Sequence, residues 1–245
     1  MIDLHTHILP GIDDGANDLN DSKALLEAQY AGGVRKLFLT PHYYPDKKTL
    51  GDFLSDRASA YESLMTIWDP RTMPEVKVGA EVRYSPELIQ TDLSGLTLGD
   101  TDYILLELSN RRFPAHLDQV IQNLVMMGYT PILAHLERYS YFVNEPNLIA
   151  KYITKGAMGQ VNAEAFLDRN KRSFASACMK HSLAHIIASD THDLIRRPPM
   201  FQDIDNLVSK EEKASSCNYA EMVWNNEKPP ITTPTRVKKL FGRYF

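Results

Sequence analysis

The chain opens on "MIDLHTHILPGIDDGAND", residues 1–18. Ile2 and Leu4 mark a short apolar run. His5 and His7 stand two residues apart, and Asp13, Asp14 and Gly15 make an acidic turn. Side chains at i and i+2 of a strand point the same way, so His5 and His7 can share one ion. Either the stretch is a strand end with two incidental histidines, or it is half of a metal site. The choice depends on whether an apolar run ending in a metal-seeking side chain recurs along the chain.

It recurs. "VRKLFLTPH" (34–42) ends in His42 and "EVKVGAE" (75–81) in Glu81. "DYILLEL" (102–108) carries Glu107, "TPILAH" (130–135) ends in His135, and "MGQVN" (158–162) ends in Asn162. "AHIIAS" (184–189) is followed at once by Asp190 and His192. Helix-like stretches lie between these runs: 19–33, about 50–68, 115–127, one ending at Gly156, and 163–182. Several stop at glycine, as helix C-termini do. Seven such strand–helix repeats predict a parallel sheet and, at this length, a closed or nearly closed α/β barrel. An open doubly wound sheet is the alternative, but neither G-x-G-x-x-G nor a P-loop pattern follows any strand. In a parallel barrel the C-terminal strand ends converge on one face, where barrel enzymes carry their active sites.

Composition agrees with a single large core. The chain has 245 residues, of which 43% are hydrophobic and 24% charged, and needs no disulfide staples. A net charge of −4 argues against nucleic acid or an acidic membrane surface as partner. Cys178 and Cys217 show no metal spacing and read as reduced thiols of a cytoplasmic protein. No signal peptide is expected at the N-terminus, and no apolar run is long enough to span a bilayer. The tail, "NNEKPPITTPTRVKKLFGRYF" (225–245), is expected to pack on the barrel.

Five of the eight histidines fall at strand ends, while His116, His181 and His185 read as surface or packing residues. So many imidazoles and carboxylates exceed the needs of one ion and suggest a cluster of two or three. A nitrogen and oxygen set without thiolate suits zinc, manganese or iron. Arg138 follows His135, and Arg197, with Arg196 adjacent, follows His192; their forks match phosphate oxygens. A cysteine phosphatase needs C-x5-R, but Ala184 lies six residues after Cys178 and Val223 six after Cys217, which argues against a thiolate mechanism of that kind.

Taken in order, "MIDLHTHILPGIDDGA", "TPHY", "GAEVR", "YILLEL", "AHLERY" and "SDTHD", with "KKLFG" near the end, resemble the polymerase-and-histidinol-phosphatase (PHP) family. They are most similar to its bacterial tyrosine-phosphatase branch, linked to capsule and exopolysaccharide synthesis. The resemblance implies a distorted (β/α)7 TIM-like barrel, a single domain over residues 1–245, and a trinuclear centre, with manganese the expected metal. By the same resemblance His5, His7, Glu81 and Asp190 hold one ion, Glu81 bridges to a second held by Glu107 and His135, and Asp14, His42 and His192 hold a third. Asp13 remains the alternative to Asp14. Arg138 and Arg197 are the implied phosphate ligands. The family's A-H-P-E-R reads AHLER here, with Leu136 in place of the proline, which predicts a looser loop under Arg138.

The chemistry expected is attack on a phosphomonoester by water activated between cations, with the arginines neutralising the phosphate. His42 or Asp14 would assist the leaving group. The implied substrate is phosphotyrosine on a protein, and the implied partner an autophosphorylating bacterial tyrosine kinase. Three alternatives stand beside this one. They are a phosphatase for a small metabolite such as histidinol phosphate, an amidohydrolase-type barrel acting on C–N bonds, and a non-catalytic metal-binding or kinase-docking protein. Glu107 stands where the amidohydrolase type often has a bridging lysine, which argues against the second.

Overall fold

The first strand, β1 (Ile2–Thr6), is buried along its whole length and pairs in parallel with β2 (Lys36–Leu39). The computed structural model describes residues 1–240 and 243–244. The run expected at 34–42 is interrupted, giving β2 and then β3 (His42–Tyr43), because Pro41 has no N–H to give a ladder. The run at 75–81 likewise becomes β4 (Glu75–Val78) and β5 (Glu81–Arg83). Strands β6 (Tyr103–Glu107), β7 (Thr130–Leu133), β8 (Met158–Asn162) and β9 (Ile186–Ala188) follow as expected. All pair in parallel, in the orders β1-β2-β4 and β3-β5-β6-β7-β8-β9. A bridge between Thr6 and Thr191 joins the end of β1 to the segment after β9, so the parallel sheet curls round on itself.

Period-two alternation sorts the side chains. On β6, Tyr103 and Leu105 join an inner cluster with Leu4, Phe38, Ile132, Met158 and Ile186, whereas Ile104 and Leu106 join an outer core shared with the helices. Inner positions change from apolar to polar along each strand: Leu105 then Glu107, Met158 then Gln160 and Asn162, Ile186 and Ala188 then Asp190. Two strands break this rule. On β1 the register slips between Asp3 and Thr6, the mark of a bulge. Leu4 therefore joins the inner cluster while the next residue, His5, meets Glu81 and Asp190. After β7, His135 leaves the strand with φ 35°.

Helix α1 (Leu19–Ala31) is capped by Asp18, whose side chain accepts from the N–H groups of Asn20 and Asp21. Helix α2 (Leu50–Met65) is capped by Thr49. Helix α3 (Leu117–Met126) stops at Gly128, whose φ of +95° a side chain would resist. The helix expected before Gly156 is two short ones, α4 (Ser140–Asn144) and α5 (Asn147–Ile153), because Pro146 falls between them. The stretch 163–182 also divides, into α6 (Glu164–Leu167) and α7 (Arg172–Lys180), where Asp168 turns its carboxylate onto the N–H of Asn170. A short 3-10 turn, Pro86–Gln90, has no counterpart in the sequence reading.

No helix directly follows β9. A long excursion leads to α8 (Lys210–Trp224), which begins with a capping box between Ser209 and Glu212. It closes the end at which the strands begin. Glu221 pairs with Lys36, Lys77 donates to the carbonyl of Trp224, and the Trp224 ring meets Phe38 at 5.0 Å. The described part of the tail packs on the outside, against α5, α7 and the start of β9: Asn147 brackets Val237, Tyr244 meets Phe174, and Thr232 meets His185, while Lys239–Leu240 pairs with Arg243–Tyr244. The last two residues of "KKLFG", 241 and 242, lie outside the described residues. No helix among the described residues is long and apolar enough to cross a membrane.

Candidate metal centre

The strand ends converge as the sequence predicts. His5 Nε2 and His7 Nε2 face each other at 3.1 Å. Glu81 Oε2 lies 3.3 Å and 3.4 Å from them, and Asp190 Oδ1 3.4 Å and 3.5 Å. All four side chains are buried. His42 brings Nδ1 to 2.8 Å from Glu81 Oε2, and His135 brings Nε2 to 2.7 Å from Glu81 Oε1. Glu81 is thus touched by four imidazoles, three on one oxygen and one on the other. Asp14 Oδ1 stands 3.3 Å from His42 Nε2 and 3.4 Å from His192 Nε2.

Three sets of side chains bring ligand atoms within 4.8 Å of one another among the described residues: His5, His7 and Glu81; His42, Glu81 and Glu107; His7, Asp14, His42 and His192. The network tests whether cations fit there. His7 Nδ1 is committed to Asp13 Oδ2 at 2.7 Å, and His5 Nδ1 to Gln160 Oε1 at 3.3 Å. When both rings are neutral, their Nε2 atoms turn lone pairs on each other and on two carboxylate oxygens. Only positive charge makes such a point stable, whether a proton or a metal ion. Glu81 Oε2, His42 Nδ1 and His192 Nε2 are moreover buried without a well-directed hydrogen bond, although Glu81 Oε2 and His42 Nδ1 stand 2.8 Å apart. The donor set fits cations of the zinc and manganese kind.

Electrostatics point the same way. Burial opposes the Glu81 and Asp190 carboxylates, yet the histidines around them hold both well below the usual range. Burial opposes charge on His42, but Glu81 beside it pushes the imidazole up to about 9. Burial would raise Asp13, but His7 brings it down to about 2. Of the acidic pair, Asp13 sits behind His7 and also accepts the His42 backbone N–H at 3.0 Å, whereas Asp14, 61% exposed, faces the open side. Gly15 lets this turn close: a Cβ there would stand 1.9 Å from the His7 carbonyl oxygen.

Both arginines reach the cluster. Arg138 Nη2 donates to Asp190 Oδ2, and Arg197 Nη2 to Asp14 Oδ2 at 2.9 Å. Arg196 turns away to Asp193 and is 88% exposed. Leu136 is buried, and the turn beneath Arg138 is closed by bonds from Arg138 N to the His135 carbonyl at 2.9 Å and from Tyr139 N to that of Leu136 at 3.3 Å. Glu107 pairs with Arg83 at 3.2 Å. His116, His181 and His185 stay outside the cluster, meeting Gln119, Thr235 and Thr232.

A family model for capsular polysaccharide synthesis, CpsB/CapC, matches residues 1–230. The chain belongs to the CpsB/CapC family. It is 30% identical over 262 residues to the tyrosine-protein phosphatase YwqE of Bacillus subtilis, and 29% over 256 residues to the putative tyrosine-protein phosphatase CapC of Staphylococcus aureus. Each match covers 99% of both chains. Among solved structures it is similar to YwqE from Bacillus subtilis and CpsB from Streptococcus pneumoniae, described as metal-dependent tyrosine phosphatases. That similarity has a TM-score of 0.85 at 28% identity, over 98% of this chain and 100% of the other. A dihydropyrimidinase from Brevibacillus agri, 10% identical with a TM-score of 0.54, shares the fold alone.

This CpsB/CapC chain also carries residues that the motif reading passed over. Gln160 accepts from His135 N at 2.8 Å and donates to Asn162 at 2.7 Å, and Asn162 donates to Asp190 Oδ2 at 2.9 Å. Its position two residues before Asn162 on one strand was the available signal. Behind β1, buried Asp3 accepts from Ser189 and Gln29, tying β1 to the segment that carries Asp190. Tyr44 stacks on His42 with ring centroids 5.0 Å apart.

Proposed function

We propose that this chain is a metal-dependent protein-tyrosine phosphatase. The observation that carries the reading is Glu81, touched by His5, His7, His42 and His135, with Arg138 and Arg197 reaching the same cluster. In this reading His5, His7, Glu81 and Asp190 hold one ion. Glu81, Glu107 and His135 would hold a second, with His42 also within reach of Glu81 and Glu107, and Asp14, His42 and His192 a third. Manganese is the metal proposed, with zinc and iron compatible with the donors. Bound cations would supply Lewis-acid activation of water and neutralise phosphate charge.

The protein's own groups do the rest. Arg138 and Arg197, which donate to Asp190 and Asp14 at the edge of the cluster, would turn their N–H groups to the phosphate oxygens. Asp13 and Gln160 keep the His7 and His5 rings oriented. With two ions bound and the third set empty, His42 and Asp14 would be free at the open side to assist departure of the phenolate. The similarity to phosphatases named for tyrosine supports phosphotyrosine on a protein as substrate. An autophosphorylating bacterial tyrosine kinase of capsule or exopolysaccharide synthesis is the partner proposed, in the cytoplasm. The curled sheet is read as a distorted (β/α)7 barrel and residues 1–245 as one domain, a count that treats β2/β3 and β4/β5 as single interrupted strands.

Hydrolysis of phosphotyrosine peptides, phosphoserine peptides and histidinol phosphate tests the reading, with and without chelator. Phosphotyrosine is expected to be preferred, activity to vanish on chelation, and manganese to restore it. Faster turnover of histidinol phosphate than of any phosphotyrosine peptide, or full activity in chelated enzyme, contradicts it.

A further inference from the structure

Two clefts of about 450 Å³ each flank the cluster. One is lined by Asp14, His42 and Lys47. The other is lined by His192 of the cluster, by Leu25 of α1, and by Leu194 and Ile195 of the loop between His192 and Arg197. Leu25 is buried, but Leu194 is 49% and Ile195 89% exposed. These apolar side chains do not project from loose chain. His192 N donates to the Arg197 carbonyl at 3.0 Å, and Asp193 Oδ1 accepts from Ile195 N at 2.7 Å and Arg196 N at 2.5 Å. The same short loop returns Arg197 to Asp14 at 2.9 Å.

We propose that this second cleft is a subsite for an apolar side chain next to the phosphotyrosine of a polypeptide substrate. The inference rests on the phosphatase reading above. A phosphate held by Arg197 leaves the rest of its molecule near Ile195, two residues earlier on a loop whose backbone is already fixed. A small metabolite ends too soon to use that wall. A polypeptide, advancing about 3.3–3.6 Å per residue, carries a neighbouring side chain along it. Leu25, Leu194 and Ile195 favour an aliphatic or aromatic group; of the charged residues that also line the cleft, Arg196 faces Asp193 at 3.7 Å, and Asp21 is left to disfavour an acidic one. Because the loop is ordered beforehand, binding need not order it, and the contact adds to affinity and selectivity.

The test compares the wild type with the Leu194→Ser/Ile195→Ser double variant on p-nitrophenyl phosphate and on phosphotyrosine peptides. In the peptides the residue on either side of the phosphotyrosine is varied in turn among Leu, Ala and Asp. The wild type is expected to prefer Leu over Ala at one of the two positions by about tenfold in kcat/KM, the scale of a hydrophobic pocket's discrimination, and to use Asp least. The double variant is expected to lose that preference through KM while hydrolysing p-nitrophenyl phosphate at the wild-type rate. Equal use of all peptides by the wild type overturns the proposal. So does a parallel fall with p-nitrophenyl phosphate, which would mean that the loop acts through Arg197. A wild-type dimer that the double variant dissolves, without any peptide selectivity, would give the patch to a second copy of the chain. Turnover of p-nitrophenyl phosphate with none of any phosphotyrosine peptide would instead remove the protein-tyrosine reading, and the subsite with it.

Discussion

Gln160 accepts the backbone N–H of His135 at 2.8 Å, and this bond sets the direction of a chain of side-chain amides. A backbone N–H can only donate, so the Gln160 atom facing it is the oxygen. The Gln160 nitrogen then faces Asn162 Oδ1, and the Asn162 nitrogen faces Asp190 Oδ2. The same Gln160 oxygen receives His5 Nδ1, leaving His5 Nε2 to the cluster. One side chain therefore orients His5 and Asp190 and braces the left-handed backbone of His135.

Replacing Gln160 by Leu is expected to leave the fold intact and weaken metal binding by about ten- to a hundredfold, the usual effect of removing a group that orients a ligand. Calorimetric titration of the metal-free protein measures it. Unchanged affinity would mean that the Gln160 contacts do not matter for the centre.

The arginines and the histidines are expected to separate in metal analysis. Arg197→Ala should keep its metal and lose about a hundred- to a thousandfold in turnover, about 2.7–4 kcal/mol, by analogy with oxyanion-hole donors. His5→Ala should lose metal itself. Arg196→Ala, whose side chain points to Asp193, should behave as wild type in metal content and p-nitrophenyl phosphate turnover.

Gly15→Ala is expected to lower both metal content and thermal stability. The added methyl would stand 1.9 Å from the His7 carbonyl oxygen, so the acidic turn must move and take Asp13 and Asp14 with it. Thermal unfolding with and without manganese reads the two effects, and a wild-type response to the metal would contradict the assignment of this turn.

Stability should fall in acid partly through His185, which is 4% exposed and whose imidazole burial brings down to about 4. It accepts from Gly159 N at 3.3 Å and meets Thr232 at 2.8 Å, so the neutral ring is the one that fits. The unfolded chain takes up a proton near pH 6.5 and the folded one only near 4, so stability declines as pH falls through that window. Between pH 7 and pH 5 the loss is about 2 kcal/mol. His185→Gln should remove that share of the decline, seen as a smaller shift in the urea midpoint of metal-free protein. An identical shift in both proteins would contradict it.

Much of the site was legible because strand periodicity is local. Along β6 and β8 the same face that buries Leu105 or Met158 carries Glu107 or Asn162 at later inward positions, whereas Asp190 lies beyond β9 with φ 54°. Alternation of two residues, together with the rule that parallel strands end on one face, brings those side chains together without knowledge of the packing. The breaks at Pro146 and Asp168 were also local, written in residue types that end helices, yet amphipathic patterning ran through them unmarked.

What the sequence by itself determined is the set of strands, the chemistry at their ends and the family. Tertiary structure decided what depends on contacts between distant segments. The bulge in β1 turns His5 inward directly after Leu4, although alternation alone would put them on opposite faces. The left-handed turn does the same for His135, held by Gln160 from another strand. Asp13 and Asp14 are adjacent and chemically alike; His7 and the His42 backbone take the first, leaving the second to His42, His192 and Arg197. A side chain's type is carried by its own residue, but its direction at a bulge or a strained turn is set by whichever partners the rest of the fold brings within hydrogen-bonding distance.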